Sequence, residues 1–187
     1  MAYNRGIQKA KGKYILLIHG EIELLSNNAI YEMVGICSQH NVGAVGTKIL
    51  YPDGKICDAG IILGYRGKAG HAFRGLDKHV HSYMNRAEQN GNYSAVSSDV
   101  LLVSKSVLDE VGGFSVDDDW EYSQVLFCKK IRRLNLRIVF HGFAEWRMVK
   151  PLPIGKNEGL SEWNLIEKKD PYYNQNLSLT GKLFTLD

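Results

Sequence analysis

Asn4-Arg5-Gly6-Ile7-Gln8-Lys9-Ala10-Lys11-Gly12-Lys13-Tyr14-Ile15-Leu16-Leu17-Ile18-His19-Gly20-Glu21 reads as a short helix, a strand and a polar turn. The helix covers 4–11 and stops at Gly12, a residue that tolerates the helix-ending conformation. Tyr14 to Ile18 is the longest apolar stretch of the chain. It suits one buried strand and falls far short of the roughly 20 residues that span a bilayer.

Working outward, Ser26 or Asn27 is placed to cap a helix that continues to Ser38, with Ile30, Met33, Val34 and Cys37 at helical spacing. A strand over 42–50 follows. Tyr51-Pro52-Asp53-Gly54 then carries turn chemistry, because proline fixes one dihedral and glycine accepts a positive one. A hairpin should return from Ile56 to Leu63. Gly64, Gly67, Gly70 and Gly75, with aromatic and basic residues between them, predict a mobile loop over a cleft. They lack the spacing of a phosphate-binding P-loop. Further on, Val100-Leu101-Leu102-Val103 predicts a central strand and 105–111 a short helix ended by Gly112-Gly113. A longer helix over 120–134 should turn Tyr122, Val125, Leu126 and the stem of Lys129 to one face. A last strand covers 137–140. Alternating strands and helices predict an α/β class, with a core over 1–150 and an extension over 151–187 packing on it.

At 187 residues and 44% hydrophobic content, the chain has enough apolar side chains for one ordinary core. A formal charge of +3, from 23 basic and 20 acidic residues, is too balanced to imply nucleic acid. Lys129-Lys130 and Arg132-Arg133 read as a solvated helix face, with a phosphate or membrane-surface patch as the alternative. Cys37, Cys57 and Cys128 show no C-x-x-C spacing, which argues against a disulfide framework or a zinc site and for a reducing, cytoplasmic location. The first residues lack a signal peptide's apolar core. Any membrane association is expected at the inner face, through partners.

Asn4-Arg5-Gly6-Ile7 with Lys13-Tyr14-Ile15-Leu16-Leu17, then Asp53-Gly54-Lys55-Ile56 with Ala59-Gly60, Asn92-Tyr93-Ser94-Ala95-Val96, Glu110-Val111-Gly112-Gly113-Phe114 and Asp170-Pro171-Tyr172-Tyr173-Asn174 stand in the order of known landmarks. Together they resemble the carboxy-terminal half of a family 2 glycosyltransferase, of the subgroup that builds O-antigen and other rhamnose-containing polysaccharides. The resemblance implies a partial GT-A fold, a Rossmann-like sandwich with a mixed sheet and flanking helices. It also implies a sugar nucleotide, Mg²⁺ or Mn²⁺, and inverting transfer to a glycan. The nucleotide-binding half of that fold would precede Met1, so the expectation is a truncated product, a split protein or a boundary chosen for expression.

The same resemblance exposes departures. Its D-x-D metal motif, whose carboxylates offset charge on the leaving diphosphate, falls on His19-Gly20-Glu21, a degenerate site at best. Its base, an acidic pair, falls on Ser123-Gln124-Val125-Leu126, where Gln124 cannot accept a proton at neutral pH. Its metal-binding histidine falls on Met148, a soft thioether. Asp119, in the acidic run Asp117 to Asp119 with Glu121, is the candidate carboxylate for a shifted loop. His71, Tyr65 and Trp146 are candidates for touching substrate, and His79 and His81 are expected at the surface.

These departures predict a non-catalytic relative, a subunit or an acceptor-binding module. The alternative is an active or partner-complemented transferase that keeps metal on His19 and Glu21. Loss of half a sheet should also leave Tyr14 to Ile18, or its neighbour, with an unpaired edge. A homodimer or a separate protein would cover it.

Overall fold

In the computed structural model, which describes residues 2–150 and 170–186, side-chain alternation along the strands assigns apolar residues to two faces of one sheet. Helix α1 (Ala2–Lys9) leads into β1 (Tyr14–Ile18), followed by β2 (Ile22–Leu24), α2 (Ala29–Cys37) and β3 (Val42–Leu50). Next come β4 (Ile56–Asp58), β5 (Ile61–Leu63), β6 (Ala69–His71), β7 (Gly91–Tyr93) and β8 (Val100–Ser104). Helices α3 (Lys105–Val111) and α4 (Trp120–Arg133) and strand β9 (Arg137–Met148) complete the series.

The main sheet is mixed, in the order β1-β8-β3-β9-β2, with β4 paired to β3 and β7 to β9. On β1 and β8, Ile15, Leu17, Leu101 and Val103 face α1, α3 and α4. Tyr14, Leu16, Val100 and Leu102 face the opposite way, toward Met33 and Cys37 of α2. The α/β class and the mixed sheet with flanking helices thus match the sequence reading. Full burial of each such aliphatic side chain contributes about 1.5–3 kcal/mol, so the two layers hold the sheet from both sides.

Every residue of β3 is buried, and its glycines have a steric reason. A Cβ on Gly46 would lie 2.5 Å from Cβ of Val96, and one on Gly43 would lie 2.3 Å from Cγ2 of Ile131 on α4. Among the described residues, strand β1 pairs only with β8, by an antiparallel ladder, and lies at the end of the sheet as expected. Its last residue, Ile18, is 42% exposed.

Several boundaries differ from the sequence reading. Strand β9 continues to Met148 rather than ending at Phe140, because polar side chains that disguise it have partners: Lys48 with Glu145, Glu23 with Arg147, and Glu32 with His141. Ser26 does not cap α2. Its hydroxyl instead donates to the Phe143 carbonyl and accepts from the Glu145 amide. The expected Ile56–Leu63 return is two strands, broken at Gly60 (φ 101°). The glycine-rich segment contains β6, which pairs with β5 in a separate two-stranded sheet. In α4 the buried face is Ser123, Gln124, Val125, Phe127, Cys128 and Ile131, which keeps Val125 of the expected face but leaves Tyr122, Leu126 and Lys129 only partly buried.

Residues 170–186 are tied to the core by Asp170. Its carboxylate accepts from the Leu63 and Tyr172 amides and the Ser94 hydroxyl at 2.7–2.8 Å. Phe184 stacks on Phe73 at 4.1 Å between ring centroids. The boundary expected at 150/151 abuts residues outside those described. All three cysteines are free and buried, and among the described residues no helix is long and apolar enough to cross a membrane.

Candidate functional site

Beyond Ile18 the chain leaves β1, and the His19 amide donates to the Asp99 carbonyl at 2.8 Å. The turn through Gly20 and Glu21 enters β2, whose Ile22 pairs with Met148 of β9. Glu21 is therefore carried outward, where its carboxylate meets Lys150 Nζ at 3.2 Å in solvent. Met148, expected at a ligand position, is 2% exposed and packed in the α2-side core. His19, Glu21 and Met148 do not converge, and no group of three or more His, Cys, Asp or Glu among the described residues is arranged to hold a metal. This donor set does not fit Mg²⁺ or Mn²⁺, which favour several oxygens around one point.

Gln124, at the expected base position, is also occupied by the fold. It is 3% exposed, and its Oε1 accepts from the Ser98 amide at 2.6 Å and the Ser97 hydroxyl at 3.3 Å. A neutral amide there satisfies a buried backbone donor at no charge cost. Asp119 caps α4, accepting from the Tyr122 amide at 2.8 Å. Its carboxylate serves the helix terminus. Trp146 lies in the α2-side core, 2% exposed, with Nε1 unpartnered. It offers no open ring face, which corrects its assignment to sugar contact.

His71 and Tyr65 are where polar chemistry meets open space. They line a cavity of about 520 Å³ together with Phe73, Arg74, Glu121 and Lys182. The Tyr65 hydroxyl donates to the Gly181 carbonyl at 3.0 Å and the Arg74 guanidinium donates to the Cys57 carbonyl at 3.0 Å, so both walls are braced. His71 Nδ1 lies 2.6 Å from Asp58 Oδ1, and Asp58 is 2% exposed. Asp58 is held in turn by the Gly60 amide, 3.3 Å from its other oxygen. A Cβ on Gly60 would stand 2.5 Å from the Tyr93 ring, so that bend requires glycine. A narrow crevice beside the cavity joins His71, Glu121 and Gln124.

Asp99 stands nearby, half-buried. Burial pushes its carboxyl above the ordinary range; a hydrogen bond from Ser97 opposes this, Asp58 adds to it, and His19 and His71 oppose it. Sequence reading missed Asp58, Asp99, Arg74 and Lys182. Asp58 is 13 residues from His71, a separation with no periodic meaning until the β5–β6 pairing folds one back on the other.

This architecture is the GT-A fold of glycosyltransferases. It superposes on GalNAc-T7 with UDP, GalNAc and Mn²⁺ at a TM-score of 0.60, with 14% identity over 81% of this chain and 30% of that one. A mannosyltransferase from Pyrobaculum calidifontis in complex with GDP-Man and Mn²⁺ gives 0.52, with 12% identity over 80% of this chain and 36% of that one. No protein-family model matches the chain. In sequence, the uncharacterized protein y4gI of Sinorhizobium fredii is 27% identical over 98% of this chain. The O-antigen biosynthesis protein RfbC of Myxococcus xanthus is 28% identical over 95% of it. The chain spans only 22% and 15% of the length of those two relatives.

Proposed function

We propose that this chain is a glycosyltransferase-related acceptor module of bacterial cell-surface polysaccharide synthesis, inactive in transfer by itself and binding a glycan in the cavity beside His71. The observation that carries the reading is a division of labour among the site residues. Gln124 and Met148 are consumed by the core and Glu21 by a surface pair, whereas His71, Tyr65, Phe73, Arg74 and Lys182 surround open volume. Aromatic faces with a few charged hydrogen-bonding groups are what a sugar requires, apolar C–H faces stacking on rings and hydroxyls meeting polar tips. The RfbC likeness supports the polysaccharide context.

In this reading the nucleotide sugar is presented by another surface, and the one-sided strand β1 is the edge on which a second copy or a separate polypeptide docks. Calorimetric titration with UDP, dTDP and GDP, each with and without Mn²⁺, should give no metal-dependent heat, while a bacterial glycan array should show binding that His71→Ala and Tyr65→Ala weaken. Micromolar, Mn²⁺-dependent nucleotide binding lost in Glu21→Ala would replace this reading with a transferase that uses His19 and Glu21. Mass measurement at the same concentrations reports whether β1 is covered by a dimer.

A further inference from the structure

We propose that His71, oriented by Asp58, is the proton acceptor for a hydroxyl of the sugar bound in the cavity, in place of the carboxylate that Gln124 cannot supply. The inference rests on reading the cavity as an acceptor site. A carboxylate can only accept a hydrogen bond, so with Asp58 Oδ1 at 2.6 Å the proton of neutral His71 resides on Nδ1. Nε2 then carries the lone pair, and among the described residues it has no partner. Asp58 is the positioning residue. It is almost fully buried, with its second oxygen on the Gly60 amide, so the ring's tautomer and tilt are fixed from behind.

Location supports the same role. His71 borders both the large cavity and the crevice that reaches Gln124, so its imidazole and the amide at the altered base position share one space. Gln124 is bonded to Ser97 and Ser98 and holds no transferable proton site. Among the described residues, the other ionisable groups near the ring are Asp58 behind it, Asp99, whose carboxyl feels both His71 and His19, and Tyr65, Glu121, Arg74 and Lys182 along the cavity. Among the described residues, Glu121 is the competing carboxylate that lines both spaces.

The step balances with a nucleotide sugar as co-reactant. The acceptor hydroxyl loses its proton to Nε2, and its oxygen uses an electron pair to form the bond to the anomeric carbon. The bond from that carbon to the diphosphate oxygen breaks, its electron pair leaving with the nucleoside diphosphate. His71 then returns the proton to solvent through the cavity.

Long-range ¹H–¹⁵N correlation spectra of the histidine side chains in the full chain test this directly, with His71 assigned by its loss in His71→Gln. The expected result is an unprotonated Nε2 with the proton on Nδ1, a tautomer that Asp58→Asn shifts toward Nε2–H. On adding D-mannose or N-acetyl-D-galactosamine at millimolar concentration, the Nε2 resonance should move, and it should move equally in Glu121→Gln. A protonated Nε2 in the neutral wild-type ring overturns the proposal and leaves glycan binding standing. So does sugar binding, seen by saturation transfer, that leaves Nε2 unmoved or acts through Glu121. If neither sugar binds and the glycan array is blank, the acceptor reading itself fails and this inference with it.

Discussion

Two regions of the molecule have opposite fates. Along β9, the run Ala144-Glu145-Trp146-Arg147-Met148 spends its side chains on structure: Glu145 on Lys48 and Lys78, Arg147 on Glu23, Trp146 and Met148 on the core. Between the end of β4 and the end of β6, Asp58 and His71 are bonded to each other and the imidazole still borders open volume. Polar residues mark a site only when bonding capacity is left over beside open volume: the spare Nε1 of Trp146 is sealed in the core, whereas His71 borders the cavity.

The largest expected effect comes from breaking the first region at Met148. Met148→Ala should cost about 2–5 kcal/mol, the range for emptying a buried methionine position, read as a lowered urea midpoint at unchanged slope. Glycan binding by the folded fraction should persist, since Met148 borders neither cavity space. A near-zero cost would mean that the thioether is held loosely enough to serve a ligand.

Glu145 gives a smaller and pH-dependent effect. Burial alone pushes its carboxyl up, but hydrogen bonds from Lys48 and Lys78 and their charges outweigh this and hold it below its ordinary value of 4.5. A depressed folded value means that the stabilisation is complete above the unfolded value and fades as pH falls through the folded one. Glu145→Gln should therefore cost on the order of 1–3 kcal/mol at pH 7, as expected for lost charge-assisted hydrogen bonds. The gap to wild type should close in strongly acidic buffer. A gap that widens toward acid would show that the two lysines do not hold the carboxylate.

How much of this was legible beforehand divides along the same line. Strand β3 over 42–50 and helix α3 over 105–111 were read at their observed limits, because apolar runs bounded by Asn41, Tyr51-Pro52 and Gly112-Gly113 are local signals. The far half of β9 was not, since its polar residues find partners 51 to 124 positions away in sequence, as His141 does with Asn90 and Arg147 with Glu23. Gln124 was recognisable as an altered position, yet its bond to Ser98 depends on how α4 packs against the loop before β8. His71 was legible as a cleft-loop residue through the family resemblance around Ala69-Gly70-His71, and it lines the cavity. Asp58 was invisible, because only tertiary pairing brings it beneath the ring.

The smallest expected effect is the one that sharpens the contrast most. Glu21 was expected to keep one carboxylate of a degenerate metal motif, but the entry into β2 turns it outward to Lys150, both partners being well exposed. Exposed pairs of this kind lose most of their attraction to solvent and side-chain entropy, so Glu21→Ala should change stability by less than about 0.5 kcal/mol. Thermal melts with and without millimolar Mn²⁺ would read both properties at once, because a ligand that binds only the folded chain raises its midpoint. Equal melts for wild type and variant in both buffers are the expected result. A Mn²⁺-dependent rise that vanishes in Glu21→Ala would mean that the turn after β1 reorganises to bring this carboxylate back toward His19, and the separation between a spent region and a working one would no longer hold.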